Sequence, residues 1–365
     1  MKRYLYAVLF VFLGLAVIPE LSCREDRAKP ALSDTTPATI LKHSKSLYTS
    51  LAFYAGMQLD IFTTLDGHPL TVEAAAAAIG TKPEFAERLL CALTACDLLE
   101  VRDKVFANTV EASRYLVRGK PSYMGDHILI NANLMQYVIS GGLKIPESVR
   151  RGQAAEPYDY SSVSYETWLQ IFRGTMPVAV NAGLALAKKF DFSRFATVVD
   201  VGGASGGLAV ALVKAYPRLK ATVADLRPIT PVSRTLLQEQ GVAGIDIEDW
   251  DVLAGPCRRP FDAAVLRALI QVLSPDQARL SMINIGKSVN PGGSVYILGH
   301  IVDDSRISPP EEVVWYLLNL NWEDRAGFYT EKDYRRMLQD AGFKDIRRDV
   351  LSNGDGVISA VKQLE

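Results

Sequence analysis

The sequence predicts an α/β fold, in which a doubly wound parallel sheet follows an all-helical domain that ends in a small β-wing. Three observations lead to this prediction. From Phe195 onward, apolar runs typical of buried parallel strands alternate with helical stretches. A glycine-rich turn joins the first of these strands to a helix, in VVDVGGASGGLAVAL. Residues 44–118 instead show apolar residues at helical spacing, followed by one short alternating segment.

Composition limits the function before any motif is considered. The 365 residues carry 40 basic and 41 acidic side chains, for a formal net charge of -1. A nucleic-acid binder normally has a basic face, so we expect no nucleic-acid partner. The four cysteines (Cys23, Cys91, Cys96 and Cys257) form no CxxC pair, so we expect neither a metal site nor a redox dithiol.

The N-terminus resembles a targeting segment. Lys2 and Arg3 precede an apolar run over residues 4–18, after which the chain turns polar. This pattern predicts a signal peptide or membrane leader over residues 1–23, although the run is short for a spanning helix. A secretory or lipoprotein leader, an uncleaved anchor, an organelle-targeting leader and a mis-assigned start in a cytoplasmic protein all stay open. Residues 24–43, polar with two prolines, are predicted to be a linker.

A winged-helix domain is predicted over residues 44–150. Thr71 stands before an alanine-rich helix, and Thr81 and Glu84 have the offset of a capping box before the next helix. A turn at Asp103 then joins the two strands of the wing. Charges along the third helix cancel, which argues against DNA binding. We expect an interaction or dimerisation module.

The second predicted domain, residues 151–365, carries the glycine loop. Asp200, Gly202, Gly203 and Gly206 lie between the strand and the helix. Glycine allows a close approach of the backbone to a ligand, and a helix N-terminus offers free N–H groups. The loop fits neither the G-x-G-x-x-G dinucleotide pattern nor the phosphate-binding P-loop. It fits D/E-x-G-x-x-x-G, which accommodates the amino-acid part of S-adenosylmethionine.

An acid ends the next strand. Asp225 follows Gly206 by 19 residues. A carboxylate at this place can accept both hydroxyl hydrogens of a ribose, as in other nucleoside-binding α/β folds. We therefore predict an S-adenosylmethionine site that includes Asp225 and the neighbouring Leu226.

From about residue 51 to its end, the sequence resembles the class I S-adenosylmethionine-dependent small-molecule methyltransferases of the plant O-methyltransferase type. That family includes acetylserotonin, bacterial pigment and polyketide methyltransferases. The resemblance is carried by VVDVGGASGG, VADLRPI, WDVLAGPCRRPFDAAVL, NPGGSVYI and YTEKDYRRMLQDAGF. It implies a Rossmann-like methyltransferase domain, a winged-helix dimerisation domain, a homodimer and a small-molecule methyl acceptor.

The same resemblance implies roles for several residues. Asp251 falls where an acid reads the adenine amino group, and Val252 falls against the ring. Arg267 falls where a basic residue helps to hold the cofactor, and Met176, in FRGTM, falls near the methyl group and the acceptor. The acceptor pocket is assigned to three residues of WYLLNLNWED, namely Tyr316, Asn319 and Trp322.

One departure from the family concerns its catalytic histidine. By spacing, Gln271 stands in place of that histidine within VLRALIQVLSPDQA, and Phe328 stands in place of the glutamate that orients it. None of the four histidines of the chain lies at that position. This pattern is similar to the branch that contains bacteriochlorophyllide C-20 methyltransferase.

The absence of the family's catalytic histidine limits which chemical groups the enzyme can methylate. Alignment of donor and acceptor alone can supply about 7–11 kcal/mol. A phenol, with a pKa of about 10, is about 0.1% ionised at pH 7, and its ionisation there costs about 4 kcal/mol. A thioether, a carboxylate or a ring carbon has no such cost. The leading expectation is thus methylation of S, C or a carboxylate without a base, with Gln271 orienting the acceptor. Phenol O-methylation with another base, an inactive cofactor-binding scaffold and a different reaction such as hydroxylation stay open.

The leader and the cofactor together bear on where the enzyme acts. S-adenosylmethionine is made inside cells, so export would separate the enzyme from its donor. We expect the enzyme to work at the cytosolic face of a membrane or inside an organelle. Recovery of a soluble, processed protein outside the cell upon fractionation would contradict this expectation.

Overall fold

The structure, a computed structural model, describes residues 36–120, 123–125, 143–155, 163–320 and 327–364. The chain divides into two compact units between residues 133 and 134. By this division, helix Ile145–Arg151, which the sequence analysis assigned to the domain over residues 44–150, groups with the C-terminal unit. The predicted leader lies outside the described residues. Within the described ranges, no helix has the length and apolar character that a membrane span requires.

The N-terminal unit is helical apart from one hairpin. Phe62, Leu90 and Leu93 are fully buried in its core. Asp103 has a φ of +49° and the next residue +65°, as a tight hairpin turn requires, so the predicted turn is confirmed. The elements are α1 (Ala38–Gln58), α2 (Ile61–Thr64), α3 (Val72–Ile79), α4 (Pro83–Ala95), β1 (Leu99–Arg102), β2 (Val105–Asn108) and α5 (Val110–Tyr115).

Part of the predicted linker is helical. Helix α1 begins at Ala38, inside the 24–43 stretch, with Pro37 at its N-cap. Residues 38–55 contain no glycine or proline, so nothing in them favours the end of a helix over this part of α1. Helix α1 therefore includes residues 38–43 of the stretch that the sequence predicts to be a linker.

Two predicted helix starts have different outcomes. Thr71 is the N-cap of α3, because its hydroxyl accepts the backbone N–H three residues on at 3.3 Å. Helix α4, however, begins at Pro83, and its N-cap Lys82 makes no side-chain cap. The predicted capping box of Thr81 and Glu84 is therefore wrong. Proline at the first helical position sets this start instead, since its fixed φ suits the helix and it brings no unpaired N–H.

The C-terminal unit contains a seven-stranded sheet with the order β5-β4-β3-β6-β7-β9-β8. Strands β3 to β7 pair in parallel, and β9 pairs antiparallel with both β7 and β8. This confirms the predicted α/β class. The strands are β3 (Thr197–Val201), β4 (Lys220–Asp225), β5 (Ile245–Asp249), β6 (Phe261–Arg267), β7 (Val289–Leu298), β8 (Phe343–Val350) and β9 (Gly356–Lys362).

Helices cover both faces of this sheet. Val198 on β3 packs into one apolar core and its neighbour Val199 into another, as alternation along a strand requires. The helices of this unit are α6 (Ile145–Arg151), α7 (Tyr165–Lys189), α8 (Gly207–Ala215), α9 (Thr230–Gln240), α10 (Pro275–Lys287), α11 (Pro310–Asn319) and α12 (Glu331–Asp340). Because β3, β4, β6 and β7 are parallel, their carboxyl ends lie at one edge, where doubly wound folds bind ligands.

Candidate functional site

The glycine loop between β3 and α8 has no room for larger side chains. A Cβ on Gly203 would stand 2.7 Å from the Cγ of Asp200, and one on Gly206 would stand 2.8 Å from a Leu237 methyl carbon. Gly202 and Gly206 also have φ values of +66° and +73°, which favour glycine. The loop therefore brings bare backbone to the N-terminus of α8, as predicted.

Asp200 is a buried acid beneath this loop. It is 2% exposed, and it accepts the backbone N–H of Ala209 in the first turn of α8. Its Oδ2 has no hydrogen-bond partner among the described residues. Burial raises the pKa of Asp200 to about 7; the negative charge of Asp225 adds to the increase, and Arg267 opposes it. A buried carboxyl with a spare oxygen fits a site for a cation or a donor.

Asp225 ties the end of β4 to the glycine loop. Its Oδ2 accepts the backbone N–H of Ala204 at 2.9 Å, and its Oδ1 accepts that of Leu226 at 2.7 Å. Burial raises the pKa of Asp225 to about 6, against the effect of these two bonds. Each carboxylate oxygen keeps a further lone pair for a ligand hydroxyl. Leu226 is 47% exposed and places an apolar surface beside the acid.

Ala204 occupies a backbone conformation that favours glycine, with a φ of +43°. Its N–H is held by Asp225, and its carbonyl accepts a hydrogen bond from Ser233 at 2.5 Å. We expect Ala204→Gly to raise the free energy of unfolding by about 0.5–1 kcal/mol, because it removes the left-handed penalty of a β-carbon. Chemical denaturation measures the change.

The exposed helical residue Ala215 is the control for this substitution. Ala215→Gly should lower the free energy of unfolding by up to about 1 kcal/mol, since glycine is a poor helix former. Equal changes in the two variants would contradict a strained conformation at Ala204.

The predicted adenine-binding residues follow β5. Asp251 is exposed, and its Oδ1 accepts the backbone N–H of Leu253 at 2.9 Å, which orients the carboxylate. Val252 is 9% exposed, and its carbonyl accepts a hydrogen bond from the Asn284 side chain at 2.8 Å. These two hydrogen bonds fix the backbone of the turn that carries Asp251 and Val252. The turn therefore presents an acidic side chain next to an apolar one.

Arg267 ends β6 and is half-buried. It interacts electrostatically with Asp355, which precedes β9, and with Asp200. Desolvation lowers the pKa of Arg267, and these two acids oppose the decrease. Desolvation likewise raises the pKa of Asp355, against the effect of Arg267. Arg267 thus links the acid below the glycine loop to a second acid that the sequence analysis did not identify.

Gln271 lies in a short 3₁₀ helix, Ile270–Val272, and is completely buried. Neither its Nε2 nor its Oε1 has a hydrogen-bond partner among the described residues. Its Nε2 stands 2.6 Å from the place that a Cβ on Gly299 would take. Because an unpartnered buried amide is costly, Gln271 would gain stability from a hydrogen bond to a ligand or a water molecule.

The residues assigned to the acceptor pocket have mixed outcomes. Met176 is 5% exposed, and its carbonyl closely approaches Gly207 at the start of α8. Tyr316 is buried on α11, and its ring centroid lies 4.8 Å from that of Phe328. Two further assignments cannot be placed, because Trp322 and the side chain of Asn319 lie outside the described residues.

A histidine–glutamate pair was missed. His300 follows the end of β7 and is 7% exposed; its Nδ1 is hydrogen-bonded to Oε2 of Glu312 on α11. The His300 ring stacks on Trp315 at a centroid distance of 3.8 Å, and its backbone carbonyl accepts the Tyr316 hydroxyl at 2.9 Å. The signal in the sequence was a histidine directly after the apolar strand SVYILG, at the edge where the other site residues emerge.

The fold and this site together define a class I methyltransferase with a helical accessory domain. The chain belongs to the O-methyltransferase family. The family model of the O-methyltransferase domain matches residues 149–344, and that of the O-methyltransferase dimerisation domain matches residues 41–118. The protein is accordingly a methyltransferase, as the sequence predicts.

Two curated relatives and one solved structure illustrate the family. The tetracenomycin polyketide synthesis 8-O-methyl transferase of Streptomyces glaucescens is 29% identical over 326 residues, which cover 87% of this chain and 95% of that protein. Acetylserotonin O-methyltransferase of Bos taurus is 26% identical, with 84% and 92% covered. Human N-acetylserotonin methyltransferase in complex with SAM shares the fold, with a TM-score of 0.75 at 22% identity and 92% and 100% coverage.

Proposed function

We propose that this methyltransferase transfers a methyl group from S-adenosylmethionine to a hydroxyl oxygen of a small, planar acceptor. The observation that carries the cofactor assignment is the carboxyl of Asp225, which is tied to the glycine loop and flanked by Leu226. The membership in the O-methyltransferase family and the named relatives favour oxygen as the methylated atom. This proposal replaces the leading expectation of S-, C- or carboxylate methylation by one of its alternatives.

The residues at the sheet edge fit the cofactor. S-adenosylmethionine would supply a methyl group on a positively charged sulfonium sulfur. In the proposed site, Gly202, Gly203 and Gly206 give the amino-acid part access to backbone N–H groups, and Asp225 accepts the ribose hydroxyls. Asp251 accepts from the adenine amino group, and Leu226 and Val252 pack against the ring. Asp200 and Arg267 set the charge beneath the loop.

The acceptor side of the site consists of buried and aromatic groups. The side-chain amide of Gln271 has a donor, Nε2, and an acceptor, Oε1, and neither has a hydrogen-bond partner among the described residues. Tyr316 and Phe328 form part of a small aromatic cluster that suits a planar molecule. Positioning of the acceptor oxygen in line with the methyl group can supply about 7–11 kcal/mol, and exclusion of water strengthens each polar contact.

We also propose that the enzyme is a homodimer. The match to the dimerisation domain supports this, and α1 carries apolar side chains that are exposed in the single chain, such as Ile40 at 72% and Tyr48 at 68%. Light scattering of the purified full chain is expected to give twice the chain mass of 40.1 kDa. A monomer over a range of micromolar concentrations would contradict the proposal.

The function is tested with the purified protein, radiolabelled S-adenosylmethionine and a panel of acceptors. Naphthols and polyketide-like phenols represent hydroxyl acceptors, and thioethers, carboxylates and tetrapyrroles represent the others. Label in a naphthol methyl ether is the expected result. Label in thioethers, carboxylates or ring carbons alone would overturn the proposal in favour of methylation without a base. Tight binding of the cofactor without label in any acceptor would favour the alternative that the protein is an inactive cofactor-binding scaffold.

Cofactor affinity is expected to increase with pH between about 5 and about 8. The pKa of Asp225 is about 6 and that of Asp200 about 7 in the protein alone, so both acids are largely protonated at the lower limit. A cationic ligand favours their ionised forms, and its binding therefore releases protons. Calorimetry at several pH values, in buffers of different ionisation enthalpy, measures both effects.

The stability of the cofactor-free protein should have the opposite pH dependence. Both pKa values are raised above the value of about 4 for an unfolded chain, so the folded state binds more protons between about pH 4 and pH 7. These two acids should thus lower the free energy of unfolding as the pH rises through that range. An affinity that does not change with pH, or no difference for Asp225→Asn, would contradict the assignment.

A further inference from the structure

The buried pair of His300 and Glu312 has no role in the function described so far. Burial of an imidazole and a carboxylate costs free energy unless they bond to each other, so a structure keeps such a pair where it is used or where it is well paired. The pair does not lie in an interior core of the sheet. It lies at the carboxyl edge, two strands from the glycine loop, because β7 is separated from β3 only by β6.

The backbone directly before His300 approaches the unpartnered amide of Gln271. Gly299, the residue before His300, is the one whose Cβ position lies 2.6 Å from the Gln271 Nε2. Phe328, on the other side, contacts Tyr316, whose hydroxyl donates to the His300 carbonyl. The histidine therefore stands next to the two positions where the family motif has its acid–base residues and this chain has glutamine and phenylalanine.

The hydrogen bond to Glu312 sets the chemistry of the imidazole. A carboxylate accepts only, so Nδ1 of a neutral His300 carries the proton and Nε2 carries the lone pair. The flat stack on Trp315 fixes the ring plane. A histidine held in one tautomer by a carboxylate has the arrangement of a general base.

Two carboxylates interact with the imidazole of His300. Glu312 faces it from α11, and Asp355 interacts with it from the loop before β9. Asp355 in turn interacts with Arg267 at the end of β6. Both of these charged groups, taken among the described residues, are acids.

We propose that His300 is the general base of the acceptor site and that Glu312 is its positioning residue; this inference rests on the proposed methylation of a hydroxyl. Nε2 of His300 takes the proton from the acceptor hydroxyl. The acceptor oxygen forms a bond to the methyl carbon as the carbon–sulfur bond breaks and leaves its electron pair on sulfur. The products are a methyl ether, a neutral thioether and an imidazolium, which returns its proton to solvent.

The experiment compares two probes with the full chain, 1-naphthol and the far more acidic 4-nitro-1-naphthol. For 1-naphthol, we expect His300→Gln to lower kcat by about 10²–10⁴-fold and Glu312→Gln by about tenfold or more. For 4-nitro-1-naphthol, which is largely ionised in solution, both losses should be less than about tenfold. In the wild type, kcat for 1-naphthol should rise with pH, because only an unprotonated base can take the proton, and His300→Gln should abolish that rise.

Two control variants separate catalysis from structure. Glu311→Gln removes the exposed carboxylate beside Glu312 on α11, and His68→Gln removes an exposed histidine of the other unit; both should leave kcat unchanged. Circular dichroism and cofactor affinity report whether the variants fold. Equal losses on both naphthols in a folded His300→Gln would overturn the base and indicate a structural role. A wild type that labels no hydroxyl acceptor would overturn the proposed function itself, and the base with it.

Discussion

Replacement of Asp225 by alanine is expected to weaken S-adenosylmethionine binding by about 10²–10⁴-fold. Charge-assisted hydrogen bonds contribute about 1.5–3 kcal/mol each, and this carboxylate is positioned to accept two from a ribose. The substitution also leaves the N–H groups of Ala204 and Leu226 without their acceptor, so the glycine loop loses its tie to β4. Isothermal calorimetry with S-adenosylmethionine measures the dissociation constant.

Asp246→Asn is the matched control for this variant. Asp246 lies on the neighbouring strand β5, and its exposed carboxylate forms an ion pair with Arg259. Its loss should change neither affinity nor stability by a measurable amount, because exposed ion pairs contribute little. A dissociation constant for Asp225→Ala within about threefold of the wild type would show that the cofactor does not use this acid.

The second large effect is expected for Gly203→Ala. A β-carbon here would lie 2.7 Å from the Cγ of Asp200 and 3.0 Å from the backbone oxygen of the same residue, so either the carboxyl or the loop must move. Such overpacking costs about 1–3 kcal/mol of stability. We expect cofactor affinity to fall at least about tenfold as well, since the displaced groups belong to the proposed site.

Gly241→Ala is a control that separates the steric collision of a new β-carbon from the strain of a positive φ. Gly241 has a φ of +59°, but a Cβ there would meet no atom within 4 Å. This variant should lose about 1 kcal/mol of stability through its conformation and keep the affinity of the wild type. Denaturation and calorimetry of the two variants measure both quantities. If Gly203→Ala binds the cofactor as Gly241→Ala does, the loop is not part of the site.

Local patterns of sequence predict most of this fold. The apolar run of β3, the glycines after it and the acid of β4 each depend on residues close in sequence, so one stretch of about 30 residues indicates the class of site. Helix boundaries were less predictable. At α4, the capping signal of Thr81 competed with the start signal of Pro83, and proline set the boundary.

The sequence was a poorer guide to the acid–base chemistry. Motif spacing led to Gln271 and Phe328, and neither residue is a histidine or a glutamate. It could not show that His300 meets Glu312, because their contact depends on how α11 returns to the end of β7. Asp355 was missed for the same reason, since only the insertion of β9 beside β7 brings it towards Arg267. Contacts of this kind depend on the topology of the fold, which composition and hydrophobic periodicity do not determine.

The close approach of Gln271 to Gly299 restricts the order in which the chain can change. A side chain at 299 would collide with the amide of residue 271, and the φ of +129° at Gly299 disfavours it further. A lineage or a protein engineer could therefore introduce a larger residue at 299 only after residue 271 had become smaller or had turned away. Substitutions at these two sites should therefore be epistatic, because a change at 271 first avoids the collision and a change at 299 first does not.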